Sequence, residues 1–397
     1  MKITIPVFAL FLLCGSCDEA TVVPPATYAC TLSQPSGEDS HPRAEEFRAL
    51  LQTVIPYTTG VQVAVTDRNG DRWTGALGFA DLANDVPLVA CHQLMIASIS
   101  KTVTASIILQ LYDEGELDLD DQLSAWLEDE LIGELANARE VSLRQLLNHT
   151  SGIPDYLTAE QFLLSQNRPF LLESQREKLR YAYGLRADNT PGAGFSYSNT
   201  NYVLLGLVVE KATGQALWEA VADRLVGPLN LQRFAMGTET DPIPDHVARP
   251  YLAFTGGKYI DFTPTAVADA ATGDGGIISN MQDLTRWVEA LFSGELIEPA
   301  TLAEMIGAPV DVPTEQADFS EWPDEGYGLG ITRYNTPWGT AYGHTGSTSS
   351  YNSFLFYFPE SAVTLAAVTN GIDLELIDEF GDAATALRND FLTRLHE

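Results

Sequence analysis

The sequence predicts an α+β fold: one antiparallel sheet built from both chain ends, flanked by terminal helices, with a mainly helical region inserted between them. Three observations carry this. Alternating apolar residues with a turn signal mark strands near the N-terminus. Helical periodicity dominates the middle. Short apolar runs separated by turn residues return near the C-terminus, before one last amphipathic helix. The 397 residues are enough for an ample core.

Residues 1–17 read as an export signal. Lys2 is the charged start, and Ile3 to Leu13 is an apolar run too short to span a bilayer. Leu13-Cys14-Gly15-Ser16-Cys17 resembles a bacterial lipoprotein cleavage box with Cys17 as the lipidated residue. Cys14 stands where leucine is more usual, so ordinary cleavage is the alternative. Residues 18–42, with Pro24, Pro25, Pro35 and Gly37, read as a tether. The expected location is therefore the periplasm, or the cell envelope through a lipid anchor.

Arg43 to Ile55 places Phe47, Leu50, Leu51 and Val54 at helical spacing. Val61, Val63 and Val65 alternate as a strand, Asn69-Gly70 tolerates the positive φ of a hairpin turn, and Trp73 to Phe79 returns. From Ser98 to Arg233 the pattern is helical. Ile99, Val103, Ile107, Ile108 and Leu111 form one face, and Val141–Leu147, Tyr202–Lys211 and Gly214–Leu229 give further helices. Residues 236–270 read as irregular, and Met281 to Phe292 as another amphipathic helix. Strands are expected at Gly328–Tyr334, Thr340–Thr345, Ser353–Phe358 and Ala362–Thr369. A final helix carries Ile377, Phe380, Ala384, Leu387, Phe391 and Leu395 on one face. The sheet part thus covers about 43–95 and 270–397, and the helical part about 96–269.

The chain has 54 acidic and 22 basic residues, a net charge of −32. A field of that sign repels nucleic acid and anionic lipid surfaces and reads as a solvated acidic shell. The cysteines outside the signal are Cys30 and Cys91. In an oxidising compartment they are a candidate disulfide, with two free thiols as the alternative.

Three short motifs carry the chemistry: Ser98-Ile99-Ser100-Lys101, Tyr197-Ser198-Asn199 and His344-Thr345-Gly346. Each alone is weak; their order and wide separation are what chance does not readily give. At a helix start, Ser98 and Lys101 share one face, and a lysine amine in reach can take the serine proton. The bland alternative is a capping serine and a surface lysine. A Tyr197 phenol beside that amine can shuttle protons, and Asn199 can hold a substrate carbonyl and the lysine together. The alternatives there are a packed aromatic and a helix cap. His344 can bind or donate to a substrate carboxylate, Thr345 belongs to the same strand, and Gly346 lets a substrate backbone approach. The Ser347 and Ser98 amides can form an oxyanion hole. Otherwise His344 is an ordinary strand histidine.

Together these motifs resemble the serine β-lactamase and penicillin-binding protein superfamily, whose signatures are Ser-x-x-Lys, Ser/Tyr-x-Asn and Lys/His-Thr-Gly. Tyr197 is similar to the class C β-lactamases and their D,D-carboxypeptidase, D-aminopeptidase and esterase relatives. Leu146-Leu147-Asn148-His149-Thr150-Ser151-Gly152-Ile153-Pro154 and Gly273-Asp274-Gly275-Gly276-Ile277-Ile278-Ser279 look like further segments of that family. The resemblance spans 43–397 and implies a β-lactamase/transpeptidase-like fold. It also implies an acyl-enzyme: Ser98 attacks, Lys101 and Tyr197 manage protons, and no cofactor or metal takes part. His344, where class C enzymes usually have lysine, resembles the D,D-carboxypeptidase branch. Many relatives also carry a glycine near Ser350.

The reading that follows is a serine hydrolase of D-Ala-D-Ala-type peptides that reacts with β-lactams. A class C-type β-lactamase or a carboxylesterase on the same fold is the runner-up. A non-catalytic peptidoglycan- or penicillin-binding module is the alternative of another class. An α/β-hydrolase would want a Gly-x-Ser-x-Gly that the chain lacks. The expected partners are a D-amino-acid peptide, a β-lactam or an ester. No nucleic acid is expected, and membrane contact only through the anchor.

Overall fold

The computed structural model describes residues 40–158, 173–238, 246–263, 271–317, 321–322 and 325–397. The expected signal, Cys17 and Cys30 lie outside these residues. Cys91 is disulfide-bonded, and its expected partner Cys30 is not among the described residues.

Nine strands form the main sheet: β1 (Gly60–Thr66), β2 (Arg72–Asp81), β3 (Val86–Pro87), β4 (Val310–Asp311), β5 (Gly326–Tyr327), β6 (Thr332–Thr336), β7 (Gly339–Ser347), β8 (Asn352–Phe358) and β9 (Val363–Thr369). Their spatial order is β3-β2-β1-β9-β8-β7-β6-β5-β4. The two chain ends meet where β1 pairs antiparallel with β9, Val63 opposite Ala367. The chain is thus α+β, with its sheet drawn from both termini. The helices that matter here are α1 (Ala44–Leu51), α2 (Ile99–Asp113), α3 (Leu143–Leu147), α4 (Asn199–Thr213), α5 (Met281–Ser293) and α6 (Ile377–His396).

Alternation along each strand splits the core into two layers. Val61, Val63, Val65, Leu365 and Ala367 face α1 and α6, where Phe47 stacks near Trp73 and Phe391 with ring centroids 5.2 and 5.1 Å apart. Ala64, Leu355, Ala366 and Val368 face the helical region. Because β1 is covered on both sides, its polar Gln62 must be satisfied internally. Its Nε2 donates to the Val89 and His92 carbonyls, both at 3.1 Å, and its Oε1 accepts from the Met281 amide at 2.7 Å. The central α2 is buried on nearly every side, including Ser100, Lys101, Thr102 and Thr104. No helix among the described residues is long and apolar enough to cross a membrane.

Several elements differ from expectation. The strand expected over Gly328–Tyr334 begins only at Thr332. Gly330 has φ +81, and a Cβ there would sit 2.3 Å from Ala105 Cβ, so this stretch leaves the sheet to lie on α2. Gly214, expected to open the helix Gly214–Leu229, is instead the left-handed cap of α4, and the next helix begins at Leu217. The region expected to be irregular contains a hairpin of Tyr251–Ala253 and Tyr259–Asp261, whose first strand runs parallel to Gly371–Asp373. Ser350, near which a glycine was expected, is buried, and no positive φ is recorded there. Its turn is closed instead by Thr348 Oγ1, which accepts from the Ser350 and Tyr351 amides at 3.2 and 3.0 Å.

Candidate active site

A small sheet of Leu94–Met95, Ile277–Ser279 and Phe234–Met236 delivers the chain to Ser98. Just before it, Ala97 has φ +49, a left-handed conformation that costs a residue with a Cβ on the order of 1–3 kcal/mol. Ser98 then enters α2 at its N-cap position, with φ −63 and ψ −11. It stays half-buried while the residues after it are buried. The positive end of the helix dipole favours charge developing on its oxygen.

Lys101 is fully buried. Its Nζ lies 3.0 Å from Ser98 Oγ, 2.7 Å from Asn199 Oδ1 and 2.9 Å from the Asp274 carbonyl oxygen. The last two groups are acceptors only, so each consumes one N–H. The remaining tetrahedral position points at Ser98. In the ammonium it holds a third N–H; in the free amine it holds the lone pair, aimed at the serine proton. The two fixed acceptors thus orient the amine as a base.

Tyr197 packs its ring 5.1 Å from Lys101 Nζ and 4.4 Å from the His149 ring. His149 has φ +57 and is fully buried; its Nδ1 accepts from the Ser198 amide at 3.2 Å. Burial pushes the His149 pKa well below its ordinary value, and the charges of Lys101 and His344 push the same way. A neutral His149 with an accepting Nδ1 therefore anchors the Tyr197–Asn199 turn.

Two carboxylates at the site were not singled out from sequence, although they lie in or beside the family-like segments. Asp155 accepts from the Asn199 amide at 3.1 Å and from Asn199 Nδ2 at 2.9 Å. Asp274, whose backbone holds Lys101, accepts from Tyr156 Oη at 2.8 Å through its side chain. A second buried lysine, Lys178, reaches that same phenol at 3.4 Å. Nothing in residue type alone marks such neighbours; only folding brings them to the motif.

On β7, His344 is buried, with Nε2 3.0 Å from Tyr327 Oη and Nδ1 against the Thr345 carbonyl. Both ring nitrogens are thus engaged inside the protein, where the sequence reading has His344 bind or donate to a substrate carboxylate. A carbonyl only accepts, so Nδ1 carries a proton. Tyr327 can donate to a neutral ring. It can also accept from an imidazolium, while Tyr202 nearby donates to the Leu147 carbonyl at 2.7 Å. Either state is hydrogen-bonded. Thr345 remains half-buried and Ser347 exposed at the strand end. Gly346 lies directly against Ser98: a Cβ there would be 3.0 Å from the Ser98 nitrogen and 2.3 Å from the Ile96 carbonyl oxygen. The fold therefore brings Ser98, Lys101, Tyr197, Asn199, His344 and Gly346 together.

Comparison with known proteins gives the family and the fold. The family model described as Beta-lactamase matches residues 50–387. Penicillin-binding protein 4 of Amycolatopsis lactamdurans is 28% identical over 311 residues, covering 76% of this chain and 78% of that protein. The D-alanyl-D-alanine-carboxypeptidase/endopeptidase AmpH of Escherichia coli (strain K12) is 26% identical over 247 residues, covering 62% of this chain and 60% of that protein. Of several curated relatives the chain spans less than two thirds, from 53% to 64% of their own length. Among solved structures, a D-stereospecific amidohydrolase from Streptomyces sp. is 28% identical with a TM-score of 0.70, covering 84% of this chain and 97% of that one.

Proposed function

The chain belongs to the beta-lactamase family and is a serine hydrolase of it, and from that premise we propose a D-Ala-D-Ala carboxypeptidase-like peptidase that also reacts with β-lactams through Ser98. The observation that carries this reading is the Lys101 amine, held by two acceptor-only oxygens with its third position on Ser98 Oγ. Ser98 Oγ attacks the acyl carbonyl while its proton passes to Lys101. The Ser98 and Ser347 amides hold the oxyanion, with Gly346 allowing the close approach. Tyr197, beside the same amine, passes the proton to the departing nitrogen. The bond to the leaving amine breaks and a Ser98 ester remains. Water then adds, its proton returns to Ser98 by the same groups, and the acid leaves. Asn199 has a second Nδ2 hydrogen beyond the one given to Asp155, which suits a substrate carbonyl. The proposal includes export by residues 1–17, with Cys17 lipidated or removed with the signal.

The test is intact mass during incubation with a penicillin, beside Ser98→Ala. A persistent adduct absent from the variant supports a penicillin-reactive peptidase. A transient adduct with drug turnover means a β-lactamase instead. Undiminished labelling of Ser98→Ala removes Ser98 as the nucleophile. A second reading, hydrolysis of neutral esters, is favoured by His344, whose nitrogens are engaged internally and leave a carboxylate only its charge. In that case a short-chain ester turns over and a D-Ala-D-Ala peptide does not.

A further inference from the structure

We propose that Asp155 is a positioning residue that fixes the orientation of the Asn199 amide and, through it, aims Lys101 at Ser98. The inference rests on the reading of Lys101 as the base for Ser98.

The oxygen and nitrogen of an asparagine side chain are nearly equal in size, so packing alone does not decide which way the amide faces. Here its two neighbours decide. On one side stands Lys101, a donor, 2.7 Å from Asn199 Oδ1. On the other stands Asp155, an acceptor, whose Oδ2 takes Nδ2–H at 2.9 Å. The Asp155 carboxylate is itself held: its Oδ1 accepts from the Asn199 amide at 3.1 Å and the Leu157 amide at 3.2 Å. Burial raises the Asp155 pKa, while these hydrogen bonds and the Lys101 charge oppose that rise.

The consequence reaches the nucleophile. A flipped Asn199 would turn two N–H groups toward the lysine and cost it one of its two fixed acceptors. Nζ could then rotate, and the position now reserved for Ser98 would be shared with another group. Asp155 accepts from the Asn199 amide, Asn199 Nδ2 and the Leu157 amide, so its influence on Lys101 runs through Asn199 and through its charge.

The charge has its own signature. The groups facing Lys101 from the surrounding elements are Tyr197 before α4, Tyr202 on α4, and His149 after α3. Asp274, with Tyr156 and Lys178 behind it, faces it from the glycine-rich loop, and His344 on β7 lies beyond Tyr197, with ring centroids 6.3 Å apart. Asp155 adds a negative charge to this set, which helps Lys101 hold its proton. Removing it lets Lys101 lose the proton at lower pH.

The experiment uses the full chain with Asp155→Asn and Asp155→Ala, and an activated neutral ester as the probe. Expected is a fall in kcat of about 10–100-fold, the scale of a misplaced catalytic group, with KM changed by less than about threefold. The acidic limb of kcat/KM against pH should also move to lower pH, which a merely structural role would not produce. Wild-type kcat with an unmoved limb overturns the proposal. If these variants do not fold, the swap Asp155→Asn with Asn199→Asp keeps the side-chain hydrogen bond with its polarity reversed, leaves the backbone N–H bond as it was, and sets the charge against Lys101. Its limb should move to higher pH, and a wild-type limb in the folded swap overturns the proposal. Ester hydrolysis that survives Ser98→Ala refutes the Ser98 assignment and this inference with it. Hydrolysis lost in Ser98→Ala but unaltered in the Asp155 variants refutes this inference alone.

Discussion

Gly346→Ala puts the geometry of the nucleophile to its sharpest test. The added Cβ would lie 2.3 Å from the Ile96 carbonyl oxygen, 2.5 Å from Ser353 Oγ and 3.0 Å from the Ser98 nitrogen. Ser353 can rotate, but the Ile96 oxygen is backbone, and Ile96 is itself tied by its amide to the Ile277 carbonyl at 3.1 Å. Relief therefore requires β7 and the start of α2 to separate by about 1 Å, to reach ordinary carbon–oxygen contact near 3.5 Å. Overpacking of this kind costs about 1–3 kcal/mol of stability, which a folded domain survives. Catalysis suffers more: a misplacement of about 1 Å between reacting groups costs about 100-fold, or roughly 2.7 kcal/mol of transition-state stabilisation. The assay is kcat/KM on a neutral ester together with thermal unfolding. Gly381→Ala in α6 is the control, because a Cβ there meets nothing within 4 Å. Gly346→Ala is expected to fold, to unfold a few degrees lower, and to lose about two orders of magnitude in kcat/KM. Activity within threefold of wild type would mean that β7 does not set the geometry around Ser98, and the assignment of the oxyanion site to this strand would fall.

Other predictions concern charge and protons. His344→Lys replaces a ring that is hydrogen-bonded in either charge state by a permanent cation. It should raise kcat/KM for carboxylate-bearing β-lactams by about 10-fold relative to neutral esters, the scale of one charge-assisted contact; an unchanged ratio would mean that charge at this position does not reach the substrate. Stability carries a separate signature. His92 and His149 are buried, and desolvation sets both below their ordinary value of 6.5. Above that value both folded and unfolded states leave them neutral. Below it the unfolded chain takes up protons that the folded one refuses, so stability is lost as pH falls, by up to about 1.4 kcal/mol per pH unit for each. Urea midpoints of His92→Gln should fall less between about pH 7 and pH 5.5 than those of the native protein, and an equal fall would exclude His92.

Much of this molecule was legible in its sequence. The Val61, Val63, Val65 alternation and the short apolar runs after Thr340 located the sheet and its origin in both chain ends, because a strand side chain can only face one of two layers. The Ser98–Lys101 spacing placed both residues on one helix face because the helix period is local. Less legible was the path between elements. Gly330 pulls a predicted strand off the sheet, since it answers to a left-handed backbone and to Ala105 far away in the chain, while Gly214 takes the left-handed turn that ends α4.

The sequence by itself determined the family and the pairing of Ser98 with the Lys101 amine, because those depend on residue types at short fixed spacings and on motif order. Tertiary structure alone decided how they are aimed. Asp155 and the Asp274 carbonyl orient Lys101, His149 anchors the Tyr197 turn, and Tyr327 draws His344 inward. The physical reason is that a hydrogen bond in a buried site is chosen by whichever donor or acceptor the fold brings within about 3 Å, and that proximity is a property of the packed chain rather than of any segment of it.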